Sequence, residues 1–278
     1  MKNFFLSGIL ALSLCACTRQ PVTLTILHTN DTHSQVEPLD AGVKNGDCGG
    51  YARRMGFIAQ EREQDPELLL FDAGDFWQGT PYFNIYKGDV EIDAMNQMGY
   101  DAVTLGNHEF DNGVSTLAEK LSQLNCPVVC ANYTVDDSPL EGIVKPYIIL
   151  HRKGLKIGVF GLGVDPKGLI TDVNFAPLKY LDPIQKGNET ADLLKEKEKC
   201  DVVICLSHIG TLQTDGVPCD SVLISNSRNI DLVIGGHTHQ LFENHKVTNL
   251  NGDSILSVQM LKSGIYTGKI KLEIQAII

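Results

Sequence analysis

Asp231-Leu232-Val233-Ile234-Gly235-Gly236-His237-Thr238-His239 sets the pattern by which the rest of the chain is read. Three apolar residues in a row make a short buried strand, two glycines break it, and two imidazoles follow in the loop. The same order recurs along the sequence. Val22–His28 runs into Asn30-Asp31-Thr32-His33, and Leu68–Asp72 runs into Ala73-Gly74-Asp75. Ala102–Leu105 leads to Gly106-Asn107-His108-Glu109-Phe110-Asp111, and Val202–Leu206 leads to Ser207-His208. Loops beyond the carboxyl ends of α/β strands are where ligands usually bind. Five such loops rich in Asp, Asn and His exceed what loop composition alone supplies.

Helical patterns lie between the apolar runs, at Tyr51–Glu63, Val90–Met98, Ser115–Leu124 and Pro183–Lys199. The last begins with Asp182-Pro183, an N-cap residue followed by proline at the first helical position. Two more strands are expected at Val128–Ala131 and Leu155–Leu162. From Phe242 onward the pattern turns to strands, with Asn251-Gly252-Asp253 as a turn and Thr267–Ile274 as the last segment. Alternating β and α followed by a β-rich tail predicts an α/β fold with antiparallel pairing at the end. No repeat or low-complexity linker interrupts residues 22–278, which read as one domain.

The 278 residues, 43% of them hydrophobic, suffice for one sizeable core. A net charge of −11 excludes a nucleic-acid polymer as partner, since that needs a basic surface. An acidic protein can still take a small phosphorylated substrate if bound cations reverse the local field. At the N-terminus, Lys2 precedes the apolar run Phe4–Leu14, too short to span a bilayer but suited to a secretory signal. Leu14-Cys15-Ala16-Cys17 resembles a lipobox. Residues 1–16 therefore read as a lipoprotein signal peptide, Cys17 as the lipidated residue and residues 17–21 as a short tether. The alternative is ordinary cleavage after Ala16 with Cys17 left free. The lipobox reading makes the protein exported and membrane-anchored through a lipid in a bacterial cell envelope.

Six further cysteines, at 48, 126, 130, 200, 205 and 219, allow fifteen pairings, and the sequence does not choose among them. Cys126/Cys130 and Cys200/Cys205 each flank a strand-like run, so their Cα atoms should lie roughly 13–16 Å apart, beyond disulfide reach. Buried thiols or long-range disulfides are expected, and no Cys-x-x-Cys spacing suggests a thiolate metal site.

Spacing indicates how the loop residues work together. Residues two apart in extended backbone point the same way, so Asp31 and His33 are expected to reach one ion from a continuing strand. Adjacent residues point apart, so Asn107 can face an ion while His108 faces a substrate. Gly74, Gly106, Gly235 and Gly236 let the backbone pass close to the site without a Cβ clash. Oxygen and imidazole ligands suit Mn²⁺, Zn²⁺ or Fe²⁺. An isolated Asp-x-His or Gly-Asp means little in a chain of this length, and a lone His208 would more often be a satisfied strand-end histidine. Gly-Asn-His-Glu has a chance expectation on the order of 0.002, and Gly-Gly-His-Thr-His is rarer still.

The ordered set resembles the calcineurin-like metallophosphoesterases, and more narrowly the catalytic domain of the 5′-nucleotidase family. The narrower likeness rests on Leu27-His28-Thr29-Asn30-Asp31-Thr32-His33, Gly49-Gly50-Tyr51-Ala52-Arg53-Arg54 and Asp72-Ala73-Gly74-Asp75-Phe76-Trp77-Gln78-Gly79-Thr80-Pro81. Met95-Asn96-Gln97-Met98-Gly99-Tyr100-Asp101-Ala102 and the Asn107 and His237 loops complete it, so it spans the chain from about Val22 onward. The resemblance implies a four-layer αββα fold, a two-sheet sandwich flanked by helices. It also implies two divalent metal ions: one held by Asp31, His33, Asp75 and His239, the other by Asp75, Asn107, His208 and His237, with Asp75 bridging. Two such ions against two carboxylates leave the site positive within an acidic protein. They would bring the pKa of a bridging water from 15.7 towards roughly 7, giving a hydroxide nucleophile. His108, oriented by Asp111, would stabilise charge or protonate the leaving group, and Glu109 would be structural.

Full-length members of the family carry a C-terminal domain that stacks the base and holds the phosphate. This sequence ends at Ile278 after the expected last strand. Three explanations stay open: a separate C-terminal-domain-like protein, breadth towards small phosphoesters, or truncation. Three activities stay open as well: a 5′-nucleotidase-like phosphomonoesterase, a 2′,3′-cyclic-nucleotide phosphodiesterase or nucleotide-sugar pyrophosphatase, and a non-catalytic metal-bearing binding lipoprotein. An intact His108/Asp111 pair speaks for the enzymes, because a binder needs no proton donor.

Overall fold

Alternation within the strands shows how the layers stack. Along Val202–Ser207, Val203 and Cys205 pack outward with Leu194, Leu223 and Ile224, while Ile204 and Leu206 pack inward with Ile26, Phe71 and Val159. Along Leu69–Asp72, Leu69 and Phe71 join that same inner cluster, and Leu70 faces Ile58, Met95 and Leu117. A strand with apolar residues on both faces must be covered on both. The outcome, in a computed structural model that describes residues 21–214 and 216–274, is four layers with three apolar seams. The signal peptide, Cys17 and most of the tether expected from sequence lie outside the described residues.

Each central layer is a six-stranded mixed sheet. The first runs in the order Gly268–Ile274, Val22–Thr29, Leu69–Asp72, Ala102–Thr104, Val128–Val129, Val144–Lys145, and all its pairings are parallel except that of Gly268–Ile274 with Val22–Thr29. The second runs in the order Leu241–Thr248, Ser254–Met260, Leu232–Gly235, Val202–Ser207, Leu155–Leu162, Tyr147–Arg152, antiparallel at its two edges. Helices Tyr51–Gln64, Asp89–Met98 and Gly113–Leu121 cover the first sheet; Pro183–Asp192 and Asp220–Ser225 cover the second. The α/β sandwich with antiparallel pairing at the end is thus the observed architecture. No helix among the described residues is long and apolar enough to cross a membrane.

Local chemistry explains the boundaries. Asp182 caps its helix by accepting from Ile184 N at 2.8 Å and Gln185 N at 2.9 Å, with Pro183 at the first position. That helix gives way at Leu193–Lys197 to a π-type turn rather than continuing to Lys199. The edge strand Tyr147–Arg152 and the helices Pro81–Tyr86 and Asp220–Ser225 were not anticipated from sequence. Gly161 lies where the two sheets meet without room for a side chain: its carbonyl accepts from Ala131 N at 2.8 Å, and a Cβ there would overlap Val129 O and Thr104 Oγ1. All six described cysteines are free thiols, four of them buried, so of the two expectations left open the free thiols are observed.

The inner seam should therefore dominate stability. Ile204→Ala, at a fully buried position between the sheets, should cost about 2–5 kcal/mol in denaturant unfolding. Val173→Ala, 80% exposed, should stay within about 0.5 kcal/mol. Equal effects at the two positions would contradict this layering.

Candidate metal and phosphoester site

The five polar loops meet at one end of the sandwich, because each follows the carboxyl end of a parallel strand. Asp31 and His33 leave Val22–Thr29, Asp75 leaves Leu69–Asp72 and Asn107 leaves Ala102–Thr104. Across the inner seam, His208 leaves Val202–Ser207, and His237 and His239 leave Leu232–Gly235. Asp31, His33, Asp75, Asn107 and His208 are buried; His237 and His239 are half-buried.

One ligand atom each from Asp31, His33, Asp75 and His239 lies within 4.8 Å of the others, so these four could hold a metal ion. His33 Nε2 and His239 Nε2 are 2.9 Å apart, and His239 Nε2 is 3.3 Å from Asp31 Oδ1. Asp75 also faces a second group of donors. His208 Nε2 is 3.1 Å from Asp75 Oδ2, His237 Nδ1 is 3.1 Å from Asn107 Oδ1, and the His208 and His237 rings are 5.3 Å apart.

Backbone carbonyls orient two of the imidazoles. His208 Nδ1 donates to Ala73 O at 2.7 Å, which turns Nε2 towards the Asp75 carboxylate. His33 Nδ1 likewise donates to Trp77 O at 3.3 Å, directing its Nε2 into the cluster. Burial lowers the pKa of His33 and takes that of His237 down to about 4, so both are neutral bases. At His208 burial pulls the same way, yet the Asp75 and Asp31 carboxylates overcome it and push the pKa up to about 10. Those carboxylates call for positive charge at Nε2, which a cation in place of the proton satisfies. Burial works against the Asp75 carboxylate, but His208, His33 and His108 hold it well below the usual range. The donor set fits a hard or borderline divalent cation.

The backbone route to this convergence differs from the sequence expectation. Asp31 and His33 do not extend a strand: both adopt left-handed conformations, φ 47° and 46°, as do Asp75, His237 and His239. Non-glycine residues there are costly and persist only when the surroundings fix them. Ladder-like bonds do so, Asp31 N to Gly74 O at 2.9 Å and His33 N to Asp75 O at 3.0 Å. Asn107, just before the 3₁₀ turn His108–Phe110, meets His237 through its Oδ1, whereas His108 meets Asp111. That turn places Asp111 Oδ2 3.0 Å from His108 Nδ1. Burial lowers the His108 pKa, but the Asp111 hydrogen bond and the Asp75 charge outweigh it and raise it overall.

Two positioning residues carry weight that sequence reasoning gave them only in part. Glu109, fully buried, accepts from Asp75 N at 2.9 Å, Gly106 N at 2.6 Å and Trp77 N at 3.2 Å, locking two ligand loops together. Burial first, then the Asp75 charge, pushes its pKa up to about 8. Asn30 donates to Asp31 Oδ2 at 2.6 Å and Leu261 O at 2.8 Å while accepting from Met260 N at 2.8 Å. Its place beside Asp31 was the only sequence signal. Gly236 passes so close that a Cβ would lie 2.8 Å from His208 Nδ1 and 3.1 Å from Asp31 Oδ2.

Residues 24–241 match the family model of the calcineurin-like phosphoesterases. Similar proteins include the trifunctional nucleotide phosphoesterase YfkN of Bacillus subtilis, 32% identical over 89% of this chain and 18% of that protein. Bovine 5′-nucleotidase is 33% identical over 91% of this chain and 47% of its own length. The crystal structure of a 5′-nucleotidase precursor from Thermus thermophilus superposes with a TM-score of 0.80 at 28% identity, covering 91% of this chain and 55% of that one. The chain thus spans about half the length of these relatives, or less. With most of its length inside the family model and its loops arranged as above, the chain belongs to the calcineurin-like phosphoesterases and is similar, among them, to the 5′-nucleotidases.

Proposed function

We propose that this chain is a hydrolase of phosphoric esters that holds two divalent cations and acts on small phosphorylated substrates, nucleoside monophosphates first among them. The observation that carries this reading is the position of Asp75, buried between two sets of donors and shared by both. Bound there, two cations would neutralise the phosphate's charge and acidify a water molecule for attack on phosphorus. Mn²⁺, Zn²⁺ and Fe²⁺ all suit the ligands.

The chain's own residues account for the remainder. When the ester bond to phosphorus breaks, the leaving oxygen needs a proton or a hydrogen bond. His108 stands beside the donor cluster, its ring 5.4 Å from that of His33, and Asp111 engages its Nδ1 so that Nε2 is left for the substrate. Burial disfavours its charged form, but the Asp111 hydrogen bond and the Asp75 charge raise its pKa overall, which favours the protonated imidazole that a proton donor needs. Asp111 fixes the ring and balances its charge. Glu109 and Asn30 keep the ligand loops from relaxing when the negative substrate arrives. The names of the relatives support nucleotides as substrates, and the Bacillus protein's description as trifunctional supports several kinds of nucleotide ester on one site.

Product analysis after incubation with AMP, UDP-glucose, 2′,3′-cyclic AMP or an aryl phosphate, with Mn²⁺ or Zn²⁺ added, tests the substrate class. AMP and the aryl phosphate should turn over, and the metal-stripped protein should be inactive. A protein that binds these compounds without hydrolysing any of them would be a binding lipoprotein instead.

His108→Ala should keep its metal and lose about 10²–10⁴ in kcat. Asp75→Ala should lose metal and activity together. Elemental analysis of the two purified variants separates these outcomes, and equal metal depletion would refute the division of roles between Asn107 and His108.

The Leu14–Cys17 segment supports export and lipid anchoring, with the folded domain held at an envelope membrane. Cys17→Ser should move the protein from the membrane fraction to the soluble fraction. Unchanged membrane association of that variant would remove the anchor from this reading.

A further inference from the structure

Gln259 is a fully buried amide in the strand Ser254–Met260, between Val258 and Met260. A residue needed there only for packing would be apolar like its neighbours, since an unpaired buried amide is costly. Its hydrogen bonds go to the loop that carries His237 and His239 and to Thr211 beyond it. Nε2 donates to Gly236 O at 2.8 Å and Thr211 Oγ1 at 2.9 Å, and lies 3.1 Å from Thr238 Oγ1. Oε1 accepts from Gln240 N at 2.6 Å and Thr238 Oγ1 at 3.2 Å.

The pattern is alternate. Residues 236, 238 and 240 are held by one amide, and the residues between them, His237 and His239, belong to the donor cluster. Both histidines sit at positive φ, 76° and 52°, where a side chain with a Cβ rests only under constraint. Gln259 supplies that constraint from behind. The chain just after it extends the brace: Leu261 N donates to Gln240 O at 2.9 Å and Ser263 N to Asp31 O at 2.7 Å.

We propose that Gln259 is a positioning residue for metal capture, setting the spacing of His237 and His239 and thereby preorganising both halves of the donor set. This role rests on the two-cation reading above. Without the amide, Gln240 N loses its acceptor and Gly236 O keeps only Thr238 N, the loop relaxes towards ordinary backbone angles, and the two imidazoles leave the positions that one ion each requires. Ligand spacing errors of this kind weaken metal binding before they unfold a protein, because supporting hydrogen bonds typically contribute about 10–100-fold to metal affinity.

The test uses the full chain, stripped of metal, with Mn²⁺ as the probe. Equilibrium dialysis gives the number and affinity of sites, and thermal unfolding of the stripped protein reports on packing. Gln259→Leu should bind Mn²⁺ at least about tenfold more weakly than wild type. Thr238→Val, which removes only the hydroxyl between Gln259 and Gln240, should show a smaller loss of about threefold; it decides the matter alone if Gln259→Leu does not fold. Lowered unfolding temperatures with unchanged Mn²⁺ affinity would mean packing only and overturn the proposal. Failure of the wild-type chain to take up two Mn²⁺ ions would sink the two-cation reading itself, a separate outcome.

Discussion

The site is organised around one buried charge. Asp75 is 2% exposed, yet its carboxylate faces imidazoles on two sides and also accepts from His108 N at 2.9 Å. A carboxylate withdrawn from water must recover its lost solvation from nearby donors or cations. That requirement fixes its surroundings. Glu109 holds its backbone nitrogen, the His33 backbone nitrogen donates to its carbonyl, and His208 approaches from the second sheet. Remove the need to compensate Asp75, and little reason remains for five loops from two sheets to meet.

Much of this was legible in the sequence because the transition from strand to functional loop is local. An apolar β-branched run ending in Gly, Asp, Asn or His reports both where a sheet ends and what its end presents. Residue types at Asp31, His33, Asp75, Asn107, His208, His237 and His239 could thus be read without knowing which strands were neighbours. Conformation was harder. Asp31 and His33 were expected to share a face of extended backbone, whereas both are left-handed, because the bonds that hold them come from residues 74 and 75, more than forty positions away. Gln259 was missed for the same reason. A single polar residue in an apolar strand signals a buried partner, but nothing near it in sequence shows that the partner is the loop at 236–240.

The fold and the site also explain each other's shape. Tyr147–Arg152 and Gly268–Ile274 close their sheets as antiparallel edges, so the parallel strands that carry ligands lie inward of them. Parallel strands all end at the same side of a sheet, which gathers their loops there. Two sheets stacked through the Ile26, Phe71, Ile204 and Leu232 seam bring both gatherings to one place.

The apolar seam cannot continue into that place. Where the strands end, the facing residues are Asp31 and Asp75 from the first sheet and His208, His237 and His239 from the second. Neither sheet supplies a complete donor set: His239 closes the group of Asp31, His33 and Asp75, and His208 and His237 face Asp75 and Asn107. On the two-cation reading each ion is therefore bound from both sheets and joins them where hydrophobic packing stops. Metal affinity then includes the work of holding the sheets in register, and anything that loosens the inner seam should weaken the ions' hold as well. The acidic surface does not oppose a phosphate at such a place. The charges that matter to the substrate are those within a few ångströms, and salt screens the rest beyond about 10 Å.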